Sequence, residues 1–281
     1  MSGPALTHTP GLLAELIDTR SAILERLPRA RLLAFWDLDG TLLAGDCSEG
    51  SVEGGRTQFP GLVQLAIERG LSADYRGPRA HERCMGHYAW LREHVGAWMA
   101  YPFLAQVFAG ADERELLDLA AEHFDSTLSR FYFPSSSRLF EGLADCGIEQ
   151  HILSASAEIF VRGAAESLGV APAQLHGIRV RTRCGLLTRD LIHPVTYAAG
   201  KLDRMHDIVL KAEAETPERP VFIIGAFGDS YDNDGPFMAH VSRTALPAGR
   251  PLAVMVNAGI VPDDYRGLFR SARHTLDGAE A

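Results

Sequence analysis

The sequence contains no long apolar run: nowhere do about 18 apolar residues, the length of a membrane-spanning helix, follow one another. It also has few cysteines, and the four present, Cys47, Cys84, Cys146 and Cys184, include no C-x-x-C pair. The first ten residues lack the basic and apolar segments of a secretory signal. We therefore expect a cytoplasmic protein with reduced cysteines, no zinc site built from these cysteines and no membrane partner.

An excess of positive charge is absent as well. The chain has 27 lysines and arginines against 36 aspartates and glutamates, a formal net charge of −9. Because nucleic-acid-binding surfaces are usually basic, this balance argues against a nucleic-acid partner. With 281 residues, 46% of them hydrophobic, the chain is long enough for a core domain that carries an insertion.

The most informative segment is 32–42, where an apolar run ends in Asp37 and Asp39 and continues as Gly-Thr. Residues two apart in extended backbone project to the same side, so both carboxylates can face one reacting centre. Two carboxylates at the end of a buried strand are costly to desolvate unless a cation lies between them. Mg²⁺ suits such a site because it takes oxygen ligands and shares them with substrate phosphate.

Three further segments place a polar or charged group after an apolar run or at a helix start. The first ends a short strand at Ser154, and the second opens a helical pattern with Lys201. The third is a nearly continuous apolar run that ends in Asp229, with Asp232 and Asp234 just beyond. Taken singly, each is also typical of a turn, a helix cap or the surface.

In this order the four segments resemble the haloacid dehalogenase-like (HAD) superfamily, whose motifs are D-x-D-G-T, a Ser or Thr, a Lys, and an acidic G-D-S motif. The resemblance extends from about residue 31 to residue 257. It implies an α/β fold with a Rossmann-like parallel sheet, and a Mg²⁺-dependent hydrolase of small phosphomonoesters. HAD enzymes that dehalogenate lack the second aspartate, so Asp39 favours phosphate over halide.

The resemblance implies a role for each matching residue. Asp37 would be the nucleophile that forms an aspartyl-phosphate, and Asp39 the general acid that later serves as base. Ser154 would donate a hydrogen bond to a phosphoryl oxygen, and Lys201 would neutralise charge in the transition state. Asp229 would hold Mg²⁺ together with Asp37 and the backbone carbonyl of Asp39.

The second acid of the fourth motif stays open at this point. In phosphoserine phosphatases it lies four residues after the first acid, where this chain has Asn233. In phosphorylcholine phosphatases it lies five residues on, which fits Asp234. We favour Asp234 as the second metal-binding acid over Asn233 and Asp232.

The chain also predicts two domains. Strands alternate with helices after residue 134, which is typical of a doubly wound parallel sheet. The segment 46–133 shows helical patterns without a clear strand and is too long for a crossover helix. The prediction is a core at 1–45 and 134–281, with residues 1–30 as a leading helix, a helical cap at 46–133 that resembles the C1-capped subgroup, and a loosely ordered tail after residue 271.

The cap is expected to select the substrate. Asp46 lies where phosphoserine phosphatases place a substrate-binding glutamate, and Glu49 is predicted one helical turn on. Thr41 completes the candidate substrate-binding set. The two acids suggest an amine-bearing leaving group, with phosphocholine or phosphoethanolamine ahead of phosphoserine. The same acids are also typical of a flap or a helix start.

Other cap residues leave this preference open. A helical pattern over 87–100, continued to Tyr101, would align Trp90, His94 and Tyr101, with Trp98 nearby; this fits either a quaternary-ammonium site or cap core. Phosphoserine would instead need a cation for its carboxylate, and the cap offers Arg76, Arg79, Arg83 and Arg92.

Three alternative functions remain on the same fold: a phosphoserine phosphatase-like enzyme, a phosphotransferase that uses an alcohol acceptor, and a non-catalytic phosphate-binding protein. The intact pair of Asp37 and Asp39 argues against the last. The sequence leaves the oligomeric state open.

Overall fold

The structure is a computed structural model that describes residues 8–278. Within this part of the chain, no helix is both long enough and apolar enough to cross a membrane. Short 3₁₀ helices lie at Leu128–Phe131, Arg162–Ala164, Pro172–Gln174 and Asp263–Tyr265. The helices and strands are, in chain order, α1 (Thr9–Arg26), β1 (Arg31–Trp36), β2 (Gly50–Glu53), β3 (Arg56–Pro60), α2 (Leu62–Glu68), α3 (Ala80–His94), α4 (Ala97–Gln106), α5 (Glu113–Ser126), α6 (Pro134–Asp145), β4 (Glu149–Ala157), α7 (Glu158–Val161), α8 (Ala165–Leu168), β5 (Leu175–Arg183), β6 (Leu186–Ile192), α9 (Ala199–Glu215), β7 (Val221–Gly228), α10 (Gly235–Arg243), β8 (Leu252–Val256) and β9 (Arg270–Ala272).

The described chain forms two compact units. The first, which we call the core unit, comprises residues 8–44, 132–153 and 198–278. The second, the insert unit, comprises residues 45–131 and 154–197. The second unit therefore includes residues 154–197, which the sequence prediction assigns to the core.

The core unit is built on a parallel sheet with the strand order β4-β1-β7-β8-β9. Residues 32–36 of β1 are all buried, as expected for a strand covered on both faces, and this explains the unbroken apolar run in the sequence. The Trp36 and Phe227 rings of adjacent strands stack with centroids 3.8 Å apart. The predicted α/β fold with a parallel, Rossmann-like sheet is confirmed.

The leading helix packs with one face inward. α1 begins at Thr9 with Pro10 in its first turn, where the missing amide proton of proline costs nothing. Leu12, Leu16 and Ile23, at helical spacing, are fully or almost fully buried. The helix ends at Arg26, shortly before Pro28, and so lies within the leading segment 1–30 that the sequence predicts as helical.

The insert unit contains two antiparallel strand pairs. Strands β5 and β6 pair on either side of Cys184 and Gly185. Strands β2 and β3 also pair, so the prediction of a strand-free segment over 46–133 is wrong. Gly54 and Gly55 join them with positive φ of 57° and 76°, the backbone that a tight hairpin turn needs. The Gly-Gly dipeptide is the sequence feature from which this hairpin turn could have been predicted.

The helical pattern predicted over 87–100 does not form one helix. α3 ends at His94 and α4 begins at Ala97. Gly96 lies between them with a φ of 121°, a conformation that a helix cannot contain. Trp90 and Tyr101 therefore lie on different helices, and the predicted single-face stripe is wrong.

Residues 272–278 of the predicted loose tail are more ordered than expected. β9 pairs with β8, and His274 is buried beyond it. The backbone amide of His274 donates to Oδ1 of Asn257, and the Asn257 amide donates back to the carbonyl of His274, each at 2.9 Å. The expectation of a loose tail is wrong for residues 272–278, and residues 279–281 lie outside the described part of the chain. A three-residue strand carries no periodic signal from which β9 could have been predicted.

Candidate active site

Two aspartates lie at the same edge of the core sheet. Asp37 directly follows β1, and Asp229 directly follows β7, the neighbouring parallel strand. The amide of Asp37 donates to the carbonyl of Phe227 at 2.8 Å, which extends the strand pairing to the nucleophile candidate. The carboxyl ends of parallel strands are where α/β folds bind ligands.

Lys201 joins the carboxylates through its ammonium group. It lies in the first turn of α9, and its Nζ donates to Oδ1 of Asp37 and to Oδ1 of Asp234, each at 2.6 Å. The Lys201 side chain is completely buried. An ammonium group so far from water requires opposite charges at hydrogen-bond distance, which the two aspartates supply.

Asp234 also organises the loop after β7. Its Oδ2 accepts hydrogen bonds from the amides of Asp229 at 3.1 Å and Ser230 at 3.0 Å, while its Oδ1 faces Lys201. The residue is fully buried at the start of α10. One carboxylate therefore fixes both the Lys201 ammonium and the loop that carries Asp229.

The other two candidates of the fourth motif lie elsewhere. Asp232 is exposed. Oδ1 of Asn233 accepts a hydrogen bond from the amide of Ala198 at 3.2 Å. Ala198 has a φ of 48°, unusual for a residue with a Cβ, and it immediately precedes α9. Asp234 therefore belongs to a carboxylate cluster with Asp37 and Asp229. Asn233 instead stabilises the start of α9, the helix that carries Lys201.

The carboxylates of Asp37, Asp229 and Asp234 suit a divalent cation. One oxygen of each lies within 4.8 Å of the others. Together with the Lys201 ammonium, three ionised carboxylates leave two formal negative charges. Burial, reinforced by Asp234, raises the pKa of Asp37 well above its usual range, and burial raises the pKa of Asp229 to about 7. Burial and the neighbouring carboxylates both disfavour the charged forms of these acids, and a bound Mg²⁺ would favour them.

Two glycines leave room for these carboxylates. A Cβ on Gly40 would lie 2.1 Å from Oδ2 of Asp229, and one on Gly228 would lie 2.6 Å from Cβ of Asp234. Gly40 also has a φ of 79°. The glycine of the D-x-D-G-T motif is therefore required both by the backbone and by the space that Asp229 occupies.

Asp39 lies in the tight loop that follows β1. Its backbone pairs with Leu43, and the amide of Gly40 donates to the Leu43 carbonyl at 2.8 Å. The half-buried Asp39 carboxylate contributes to the raised pKa of both Asp37 and Asp229. It is therefore close enough to the cluster to interact electrostatically with both acids.

A buried chain of hydrogen bonds supports this loop from behind. Oγ of Ser136 donates to the Thr41 carbonyl at 2.6 Å and lies 2.7 Å from Nδ1 of His274. Because the Ser136 proton goes to Thr41, Nδ1 of His274 must be the donor to Ser136. Within residues 8–278, the buried Oγ1 of Thr41 finds no hydrogen-bond partner. Sequence reasoning missed Ser136 and His274, which lie far from the motifs along the chain.

Ser154 lies within β4 rather than at its end. The strand pairs with β1 up to Ile152 and continues to Ala157. The Ser154 side chain is buried, and its Oγ accepts a hydrogen bond from the amide of Ser156 at 3.0 Å. A serine hydroxyl can both accept and donate a hydrogen bond, which is the chemistry that a phosphoryl oxygen would need here.

Asp46 and Glu49 lie in the insert unit, in a turn that leads into β2. Oδ1 of Asp46 accepts hydrogen bonds from the amides of Ser48 at 2.7 Å and Glu49 at 2.8 Å. The turn is not helical, so the prediction of one helical turn between the two acids is wrong. A short polar side chain that bonds to backbone two residues on is typical of such turns.

Glu49 takes part in a cluster of tyrosines within the insert unit. The Tyr88 hydroxyl donates to Oε1 of Glu49 at 2.6 Å. The Tyr101 ring lies 6.3 Å from the Tyr88 ring and 5.3 Å from the Tyr197 ring, between centroids. Interactions with Tyr101, Tyr88 and Glu49, including a hydrogen bond with Tyr88, raise the pKa of Arg92, so its guanidinium lies beside the same cluster.

The predicted tryptophans are not part of this cluster. Trp90 and Trp98 are 55% and 59% exposed. The Trp90 ring stacks on His94 with centroids 5.0 Å apart, and Nε1 of Trp98 donates to the Val95 carbonyl at 3.1 Å. The acid-aromatic combination of the insert unit is therefore built from Glu49 and tyrosines.

Known structures share this fold. A protein of unknown function from Bordetella pertussis Tohama I has 18% identity over 86% of this chain and 98% of its own, with a TM-score of 0.63. A functionally unknown protein from Anaerococcus prevotii DSM 20548 has 14% identity over 96% of this chain and 93% of its own, with a TM-score of 0.61. A cytosolic 5′-nucleotidase IIIB bound to cytidine has 17% identity, covers 86% and 78%, and has a TM-score of 0.54.

The family assignment comes from the sequence profile of haloacid dehalogenase-like hydrolases, which matches residues 34–239. No curated protein sequence matches the chain. The matched residues include all four motif segments and confirm the resemblance drawn from them. The chain belongs to the haloacid dehalogenase-like hydrolase family.

Proposed function

We propose that this hydrolase is a Mg²⁺-dependent phosphatase that cleaves a small phosphomonoester through an aspartyl-phosphate on Asp37. The observation that carries the proposal is the buried ammonium of Lys201, which lies 2.6 Å from carboxylate oxygens of both Asp37 and Asp234. A carboxylate whose charge is balanced in this way can approach an anionic phosphoryl group. The net charge of the chain, −9, would otherwise repel such an anionic substrate.

The reaction consists of two displacements at phosphorus. A carboxylate oxygen of Asp37 attacks, the bond from phosphorus to the ester oxygen breaks, and Asp39 gives its proton to the departing alkoxide. Asp39 then takes a proton from water, the water oxygen attacks phosphorus, and the bond to Asp37 breaks. Phosphate leaves, and both aspartates return to their starting states.

The remaining residues would stabilise charge. Lys201 neutralises the charge that shifts between Asp37 and the phosphoryl group, and Ser154 donates its hydroxyl proton to a phosphoryl oxygen. Asp37, Asp229, Asp234 and the carbonyl of Asp39 would hold Mg²⁺. When bound, Mg²⁺ supplies positive charge to the phosphoryl oxygens and lowers the pKa of the two buried acids.

The test is a phosphatase assay of the purified full chain on a panel of phosphomonoesters. We expect hydrolysis that requires Mg²⁺, stops with excess chelator and falls by orders of magnitude in Asp37→Asn. Activity that persists with chelator or in Asp37→Asn would refute the proposal. If an added alcohol yields more phosphorylated acceptor than free phosphate, the enzyme is instead a phosphotransferase.

We further propose that the substrate carries an amine on its leaving group. The half-buried Glu49, beside Tyr88 and Tyr101, offers a negative charge next to aromatic rings, which is the combination that binds ammonium groups. The test compares kcat/KM for phosphocholine, phosphoethanolamine, phosphoserine and a sugar phosphate. Glu49→Gln is expected to reduce the preference for amines, whereas Glu53→Gln, at an exposed acid of the same hairpin, is not.

Arg92 supports a second candidate, a phosphoserine-like substrate. Its guanidinium lies beside the same tyrosines and Glu49 and could pair with a carboxylate on the leaving group. This alternative predicts that phosphoserine has the highest kcat/KM of the panel and that Arg92→Gln removes the advantage. If sugar phosphate leads and Glu49→Gln leaves the ranking unchanged, both substrate proposals fail.

A further inference from the structure

Two histidines of the core unit converge on one another away from the carboxylate cluster. His206 lies on α9 and His240 on α10. Their Nε2 atoms are 3.4 Å apart, and the two rings lie at 75° to each other with centroids 4.6 Å apart. His240 is exposed and His206 is half-buried, so solvent reaches the pair.

The separation of the two Nε2 atoms fits a shared metal ion. Zn²⁺ binds imidazole nitrogen at about 2.0–2.1 Å in tetrahedral geometry, which places two such nitrogens about 3.3–3.4 Å apart. The same distance is at the long end of the range for a direct hydrogen bond between the two nitrogen atoms. We propose that His206 and His240 form a two-histidine site for a divalent transition-metal ion, such as Zn²⁺, Ni²⁺ or Cu²⁺, with water as the other ligands.

The ligand chemistry separates this site from the carboxylate cluster. Imidazole suits Zn²⁺, Ni²⁺ and Cu²⁺, whereas Mg²⁺ prefers oxygen ligands. Burial, and secondarily the neighbouring His206, lowers the pKa of His240, which favours the neutral ring that binds metal. The exposed side of His240 leaves the remaining coordination positions open to water.

Such an ion would link α9 and α10, the two helices next to the carboxylate cluster. Lys201 lies in the first turn of α9, and Asp234 immediately precedes α10. A ligand that binds the folded state alone stabilises it by an amount that grows with the logarithm of the ligand concentration above its Kd. The ion would therefore raise the melting temperature by linking α9 to α10, without a ligand from the insert unit.

The test is isothermal titration of the full chain with ZnCl₂ in excess Mg²⁺, which keeps the carboxylate cluster occupied. We expect one equivalent of Zn²⁺ per chain, and at least about tenfold weaker binding in His206→Gln and in His240→Gln. His94→Gln, at an exposed histidine of the insert unit, serves as the matched control and should bind as the native chain does. Circular dichroism establishes that each variant is folded.

Two measurements decide the outcome. Bound Cu²⁺ should show coordination by two nitrogens in its electron paramagnetic resonance spectrum, and each Gln variant should lose this signature. The proposal would be overturned if the native chain does not bind Zn²⁺, or if both Gln variants bind it as tightly as the native chain does. Asp37→Asn should keep the Zn²⁺ site while losing phosphatase activity, so failure of this site and failure of the proposed function are distinguishable.

Discussion

Nζ of Lys201 lies 2.6 Å from Oδ1 of Asp37, and neither side chain is more than 4% exposed. Removal of one partner from a buried ion pair usually costs about 3–5 kcal/mol, because a charge is left unpaired. Substitution of Lys201 would therefore lower activity and stability together. At other residues, a substitution is expected to change activity and stability by different amounts.

Gly40 is one such residue. Gly40→Ala is expected to reduce activity by orders of magnitude, because the new Cβ would lie 2.1 Å from Oδ2 of Asp229 and displace that carboxylate. The positive φ of 79° adds a backbone cost of about 1–2 kcal/mol. Phosphatase assays and thermal melts measure the two effects.

Gly70→Ala is the matched control for the backbone cost. Gly70 has a φ of 78°, but its Cβ would meet nothing within 4 Å. The two variants should lose similar stability, and only Gly40→Ala should lose activity. Equal activity in both would show that the position of Asp229 does not matter for catalysis.

Asp234 and Asp232 provide a second comparison, within the fourth motif. Asp234→Asn removes charge from a side chain that pairs with Lys201 and accepts from the amides of Asp229 and Ser230. We expect the Mg²⁺ concentration for half-maximal activity to rise at least about tenfold. Asp232→Asn, at an exposed side chain, should leave it unchanged. If instead Asn233→Ala strongly raises the Mg²⁺ concentration for half-maximal activity and Asp234→Asn leaves it unchanged, the assignment of the second acid is wrong.

The raised pKa values predict a pH-dependent effect of Mg²⁺ on stability. Burial raises the pKa of Asp229 to about 7, against about 3.9 in the unfolded chain. Without metal, the folded state keeps a proton that the unfolded state has lost, so the contribution of Asp229 to stability declines between these values as pH rises. Asp37 acts in the same direction.

Mg²⁺ competes with these protons and should reverse the trend. The gain in melting temperature on adding Mg²⁺ is expected to be larger near about pH 8 than near about pH 5. Thermal melts in chelator and in Mg²⁺ measure this gain at each pH. Asp229→Asn should reduce the difference between the gains at the two pH values. A gain that is equal at both pH values would contradict binding at the buried carboxylates.

Ser136 tests the support behind the D-x-D-G-T loop. Ser136→Ala leaves the Thr41 carbonyl and Nδ1 of His274 without their buried partner, at a cost of about 1–3 kcal/mol. Ser137→Ala, the neighbouring and less buried serine of α6, should cost well under half as much. Chemical denaturation compares the two variants, and equal losses would rule out this support.

Much of the core could be predicted from the sequence because its signals are local. The apolar run before Asp37 and the one before Asp229 each form a buried strand, and their parallel pairing brings the two acids to one edge. Proline and spacing also located α1. The pairing of β9 with β8 could not be predicted, because it depends on contacts between distant residues rather than on a pattern within three residues.

The candidate site was predictable to a similar degree. Motif order predicted Asp37, Lys201, Asp229 and Asp234 as partners, and the structure brings these four together. The support of Thr41 by Ser136 and His274 could not be predicted, because neither residue lies in a motif. The Trp90 stripe failed at Gly96, where a positive φ ends the helix regardless of the apolar pattern.

The most direct measurement is to trap and locate the phosphoryl group during turnover. The full chain is mixed with an isotopically labelled phosphomonoester in Mg²⁺, quenched in acid, reduced with borohydride and digested for mass spectrometry. Borohydride converts an aspartyl-phosphate into homoserine. The account predicts this conversion at Asp37 in the native protein and no conversion in Asp37→Asn. Hydrolysis that proceeds without modification of Asp37, or with modification of another residue, would contradict it.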